Sequence, residues 1–169
     1  MPHQYLTRTQ ERLRSMLSDL RDDQWNYKPA SGGWSIAECI EHVVVLENLS
    51  LGRVEAGLAS GPNSEPRAVT DEFIIEKIPA RAIKFEAPEF ALPSGRWATK
   101  AELLEQFNHI RSKTLAMAAR NDVNFREYAA EHTRFGILDV HQWLLVMSSH
   151  CARHLNQIEE IQSDPGYPA

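Results

Sequence analysis

The sequence predicts an all-α fold, a four-helix bundle with a long crossover between helices two and three. Three observations lead there. Four long stretches carry apolar residues at helical spacing. Three of them open on capping residues. No stretch alternates as a half-buried strand does, and no solenoid-type repeat is present. The 169 residues read as a single domain, 1–169.

The first helix is expected from about Gln4 to Leu20, with Tyr5, Leu13, Met16, Leu17 and Leu20 as its apolar stripe. A turn follows at Lys28-Pro29-Ala30-Ser31-Gly32-Gly33. It has neither a strand before it nor a phosphate-loop pattern, so it reads as a plain helix entry. Trp25, Tyr27 and Trp34 flank the turn and should wall one end of the bundle. Ser35-Ile-Ala-Glu38 is a capping box opening the second helix, which carries Ile36, Cys39, Ile40, Val43, Leu46 and Leu49 and should fade near Gly61-Pro62.

Pro62, Pro66, Pro79, Pro88 and Pro93 exclude one continuous helix over 61–98. A short helix is expected near Asp71–Lys77, then an extended stretch whose Phe85, Phe90 and Leu92 pack over the bundle. This crossover is long enough to let helices two and three run parallel. Thr99-Lys-Ala-Glu102 caps the third helix, with Leu103, Leu104, Phe107 and Ile110, ending near Asn121. Asp139-Val-His-Gln142 starts the last helix, which ends before Pro165-Gly166.

Seven histidines are present. His150 and His154 leave the same face of the last helix. Trp143, Met147, His150, His154, Ile158 and Ile161 step by four or three residues, so both lie on the stripe that points at the core. Buried imidazoles need a partner, and a divalent metal can accept a lone pair from each. The alternatives are bonds to backbone or to each other through water. His42 shares a face with Cys39, Leu46 and Leu49 on the neighbouring helix, close enough to converge on the same ion. Three neutral nitrogen ligands leave open coordination positions, as in a catalytic site.

The remaining candidates are assigned to the bundle itself. Cys39 and Cys151 read as small core residues, with a thiolate ligand as the alternative for Cys39, and Glu38 as the capping partner of Ser35, with support of the ligands or a general base as its alternative. His109 should be solvated, His3 terminal and mobile, and His141 too far around its helix to join His150. His132 reads as a loop histidine bonding a backbone group, with a role near the pocket mouth as the alternative. Arg153 reads as the partner of Glu38 or Glu41 across the helix interface, with holding an acidic substrate as the alternative.

The stretches Gly33-Trp34-Ser35-Ile-Ala-Glu38-Cys-Ile-Glu-His42 and His150-Cys-Ala-Arg153-His154-Leu-Asn-Gln157-Ile158 resemble the DinB-like superfamily. So do Phe85-Glu-Ala-Pro88 to Pro93-Ser-Gly95, and His132-Thr-Arg-Phe135-Gly136 with Trp143 beyond it. The resemblance runs from about Leu6 to Ile161. It implies the bundle fold and a metal, nickel or zinc, on His42, His150 and His154. It also implies a metal-dependent enzyme of thiol S-transferase or hydrolase type, with a small-molecule substrate and, in the transferase form, a low-molecular-weight thiol. A non-catalytic metal- or ligand-binding dimer is the competing reading, with the apolar 73–92 stretch as one surface for a homodimer.

The net charge of -5 and pI near 5.8 remove the main attraction for nucleic acid. No apolar run is long enough to span a membrane. With no secretory-type leader at the start, the expected location is cytoplasmic.

Overall fold

The computed structural model describes residues 1–82 and 85–169. Its elements are α1 (Pro2–Leu17), α2 (Asp22–Trp25), α3 (Ile36–Ala59), α4 (Asp71–Lys77), a 3-10 turn (Glu89–Ala91), α5 (Lys100–Ala118), β1 (Ala129–His132), β2 (Gly136–Asp139) and α6 (Val140–Gln162). The four long helices are α1, α3, α5 and α6. Ser35, Thr99 and Asp139 each accept the N3 amide of the helix they open, and Glu38, Glu102 and Gln142 reach back to the cap. Orphan amides at three helix starts are thereby satisfied. No helix among the described residues is long and apolar enough to cross a membrane.

Side-chain pairs fix the helix directions. Along α5, Asn108 meets Arg14 and Arg111 meets the Leu6 carbonyl, so α1 and α5 are antiparallel. Arg12 reaches Asn156 and Glu159, while His141 at the start of α6 feels the charge of the chain's amino terminus, so α1 and α6 are parallel. His42 meets His150 and His154, whereas Gly57 near the end of α3 meets the hairpin leading into α6. Helices α3 and α6 are therefore antiparallel, and α3 and α5 run parallel, as the crossover length allows. Both α1 and α3 pack on α5 and on α6. Consecutive long helices α1 and α3 thus sit across a diagonal, as do α5 and α6.

The crossover is a strap. It runs along α6, with Gln142 bonding the Val69 carbonyl, Asn156 the Pro79 carbonyl and Arg81 reaching Gln157 and Glu160. It then returns over α3, where Ser94, Gly95 and Arg96 hold the Glu41 carboxylate. Helix α4 forms where expected, with Thr70 as its cap.

Three expectations are corrected. Residues 129–139 form an antiparallel hairpin, pairing Ala129 with Asp139 and His132 with Gly136. It was missed because Ala129-Ala130-Glu131-His132 lacks strand-forming side chains; packing against α3 makes it a strand. Residues 85–92 are not a buried extended cover: they include the 3-10 turn, and Phe85, Phe90 and Leu92 are exposed. The buried residue is the small Ala91. Finally, Arg153 bonds the Ile78 and Ala80 carbonyls and lies over the Phe85 ring. Glu38 instead pairs with Lys28, and Glu41 with Arg96. The crossover's unpaired carbonyls outcompete the helix carboxylates, which have nearer partners.

Candidate metal centre

The capping box at Ser35 sets the phase of α3 so that Cys39, His42 and Val43 turn inward. The stripe on α6 does the same for His150 and His154. His42 and His154 are buried and His150 half-buried. The three imidazoles converge, with one ligand nitrogen from each lying within 4.8 Å of the others. Ring centroids are 4.6–5.1 Å apart. Trp34 closes the cluster, 4.8 Å from His42 and stacked on His154 at 5.9 Å.

Hydrogen bonds orient the rings. His42 Nδ1 lies 2.8 Å from the Ala91 carbonyl oxygen, which can only accept. Nδ1 therefore carries the proton and Nε2 is left with its lone pair. His154 Nδ1 lies 3.0 Å from Gln157 Oε1. That amide is fixed with its oxygen inward, because Arg81, which can only donate, bonds the same atom at 3.1 Å. So His154 also presents the Nε2 lone pair, 3.1 Å from His150 Nε2.

Two nitrogens at that spacing need a proton or a cation between them. Nitrogen ligands of one ion, at about 2.0–2.1 Å from it, stand roughly 2.9–3.4 Å apart. The donor set fits a borderline divalent ion held by imidazole, and the partners on Nδ1 are those that orient metal-binding histidines.

Burial holds all three rings neutral. It lowers His42 despite the opposing Ala91 bond. Burial, then the neighbouring His42, Arg153 and His132, bring His150 to about 3. Burial and His150 hold His154 well below its ordinary value. Neutral imidazole is the ligating form.

The other candidates stay outside. Cys39 is buried with its thiol pushed up by desolvation, a core residue and not a ready thiolate. Cys151 is likewise buried and protonated. His109 is exposed, and His3 lies exposed on α1, within a helix rather than in a loose terminus. His141 faces Asp71 at 3.6 Å. His132 accepts the Arg134 and Phe135 amides on Nδ1, the backbone role expected of it.

The sequence leads one to expect the proline-rich 61–98 segment as a roof over the pocket, and the strap does reach the histidines there; the atoms that do so were not legible. No periodicity marks Ala91, whose carbonyl acts, and Gln157 showed only as part of the His150–Ile158 stretch. A cavity of about 670 Å³ opens on the outer face of α3, lined by Leu46, Leu49, Phe90, Trp97, His132 and Trp143 among others.

Residues 5–158 match the DinB superfamily. The chain belongs to this superfamily. It is similar to the uncharacterized protein YuaE of Bacillus subtilis (strain 168), 26% identical over 147 residues, covering 86% of this chain and 88% of that one. In structure it resembles YfiT from Bacillus subtilis, described as "a probable metal-dependent hydrolase with an unusual four-helix bundle topology". That match has a TM-score of 0.66 at 16% identity and covers 99% of this chain and 87% of the other.

Proposed function

We propose that this DinB superfamily member is a metal-dependent enzyme acting on a small substrate, with the ion held by His42, His150 and His154. The observation that supports it best is the pinned pair of tautomers: the Ala91 carbonyl and Gln157 each hold a proton on Nδ1 and turn an Nε2 lone pair toward the other rings. Nickel or zinc suits such a donor set. When bound, the ion supplies a Lewis acid that acidifies a coordinated nucleophile or polarises the substrate.

The surrounding residues favour thiol transfer. Glu38 is committed to the Ser35 amide and Lys28, and Glu41 to the strap's amides and Arg96. Neither of these two α3 carboxylates, the nearest to His42 in sequence, is free to take a proton from the nucleophile. A thiol near its ordinary value of about 8.5 needs far less help to ionise than water at about 15.7. The reading is therefore transfer of a low-molecular-weight thiol to an electrophilic small substrate. Trp34 and the strap exclude bulk water from one side of the histidines. Hydrolysis is the second reading, favoured by the description that YfiT carries.

The test begins with metal analysis of untagged protein purified without chelator, beside His42→Ala and His150→Ala. The expected result is about one equivalent of nickel or zinc in the parent and none in either variant. Electrophile panels are then run with and without a small thiol. Turnover only with thiol supports transfer, and turnover without it supports hydrolysis. An ion that raises the melting temperature but supports neither would reduce it to a core staple.

A further inference from the structure

The cavity on the outer face of α3 holds a second, differently prepared histidine. His132 Nδ1 accepts two backbone amides, Arg134 at 3.1 Å and Phe135 at 3.2 Å. A nitrogen that accepts cannot carry the proton, so the neutral ring is protonated on Nε2. This tautomer is the reverse of the one at His42 and His154. The ring is held in place by Phe135 at 4.7 Å and Trp143 at 4.9 Å. Burial first, and the Arg134 charge second, bring His132 down to about 4, so it stays neutral near pH 7.

The Nε2–H group has no protein acceptor among the described residues. Among the described residues the fully buried side-chain atom left without a partner is Tyr167 Oη, not His132 Nε2. The Nε2–H group is therefore open to solvent, and the cavity is what His132 lines. Trp143, Leu49, Phe90 and Trp97 give that cavity apolar walls. Arg53, on the same wall, has no bonded partner among the described residues. Glu131 is also on the wall, and its charge would repel an anion, leaving Arg53 and His132 to meet one. The α3 lining of the cavity begins two residues beyond His42, at Val44, and Phe90 adjoins the Ala91 carbonyl that orients His42.

We propose that this cavity binds a small molecule with an apolar body and a carboxylate or carbonyl oxygen, which accepts the Nε2–H of His132. A fixed neutral donor suits such an oxygen because it needs no proton shift on binding. Trp143 and its neighbours take the apolar body. The proposal rests on the proposed function only in calling that molecule the substrate. Binding itself does not need the metal.

The experiment uses 2-naphthoate as the probe and imidazole ¹⁵N spectra of the full chain as the readout. His132 is expected in the Nε2–H tautomer, with its Nε2 signal moving on addition of naphthoate. His132→Phe should weaken binding about tenfold, the size of one lost hydrogen bond to a charged acceptor. His132→Gln, which keeps an N–H donor, should recover part of it. Naphthalene, without the carboxylate, should bind both proteins alike. Circular dichroism and metal content of the variants separate a folding defect from a binding defect. Binding that survives in His150→Ala assigns the probe to the cavity. Binding lost in His150→Ala but kept in His132→Phe would place it on the histidine cluster and overturn the proposal. Equal affinity of parent and His132→Phe would overturn it as well. Neither result bears on whether the three histidines hold a metal.

Discussion

At the scale of single residues, the site depends on protons held where metal chemistry needs them. Gln157 links Arg81 to His154 through one amide oxygen. Gln157→Leu removes that link without touching a ligand. The expected outcome is a metal affinity about 10–100-fold weaker, read by competition with a chelator, at unchanged helix content. The buried rings also make stability depend on pH. In the unfolded chain each histidine protonates near 6.5. In the folded protein His150 stays neutral to about 3 and His132 to about 4. Below pH 6.5 the unfolded state binds protons that the folded state refuses, so stability falls as pH falls. Above 6.5 these groups contribute no slope. In the metal-stripped protein each should add at most about 1.4 kcal/mol per pH unit between about pH 6 and 4. Urea titrations across that range check it, and His132→Phe should flatten the slope by one proton.

At the scale of elements, what could be read in advance was what local chemistry writes. Ser35, Thr99 and Asp139 announced their helices because a cap is a short-range hydrogen bond. The His150/His154 face was legible because it lies on the core stripe of its own helix; the His42 face was legible only in part, because Leu46 and Leu49, grouped with His42 and Cys39, prove half-buried and exposed, while Val43, Glu47 and Leu51 are buried. The hairpin was not, because its strands are stabilised by a partner far away in sequence. Gly57 is the point of contact: a Cβ there would lie 2.9 Å from the Ala129 carbonyl oxygen. Gly52, on the same helix, has nothing within 4 Å of such an atom. The two glycines therefore make a matched pair. Gly52→Ala should stabilise by about 0.5–1 kcal/mol through helix propensity alone. Gly57→Ala gains the same propensity but pushes backbone against backbone. It should be destabilising overall, by about 1–2 kcal/mol, with the hairpin amides exchanging faster. Equal stabilisation by both would mean that the hairpin does not rest on α3.

At the scale of the whole molecule, one buried ion pair crosses the diagonal that the topology leaves open. Arg111 on α5 is fully buried and donates twice to Glu47 on α3, both at 2.7 Å. Its remaining nitrogen reaches α1, at the Leu6 carbonyl and Thr9 Oγ1, both 2.8 Å away. Helices α1 and α3, placed across the bundle from each other, are thus joined through one guanidinium. No sequence pattern showed this, since Glu47 and Arg111 are 64 residues apart and each looks like an ordinary surface charge on its helix. Taking both charges out of water is costly, and their attraction with four satisfied hydrogen bonds offsets much of that cost. Removing one partner leaves the other buried and unpaired. Glu47→Gln should therefore lose about 3–5 kcal/mol in urea unfolding. The double variant Glu47→Leu with Arg111→Met removes both charges and keeps apolar volume, so it should lose less than the single variant. It still forfeits the donors to Leu6 and Thr9, which keeps it below the parent. Because Glu47 lies beyond His42 on α3, metal content tells whether the damage spreads. The double variant should hold its ion as the parent does, and the single variant should release it only as it unfolds. A double variant less stable than Glu47→Gln would mean that the pair contributes net stability to the bundle, not only a means of joining its two diagonal helices.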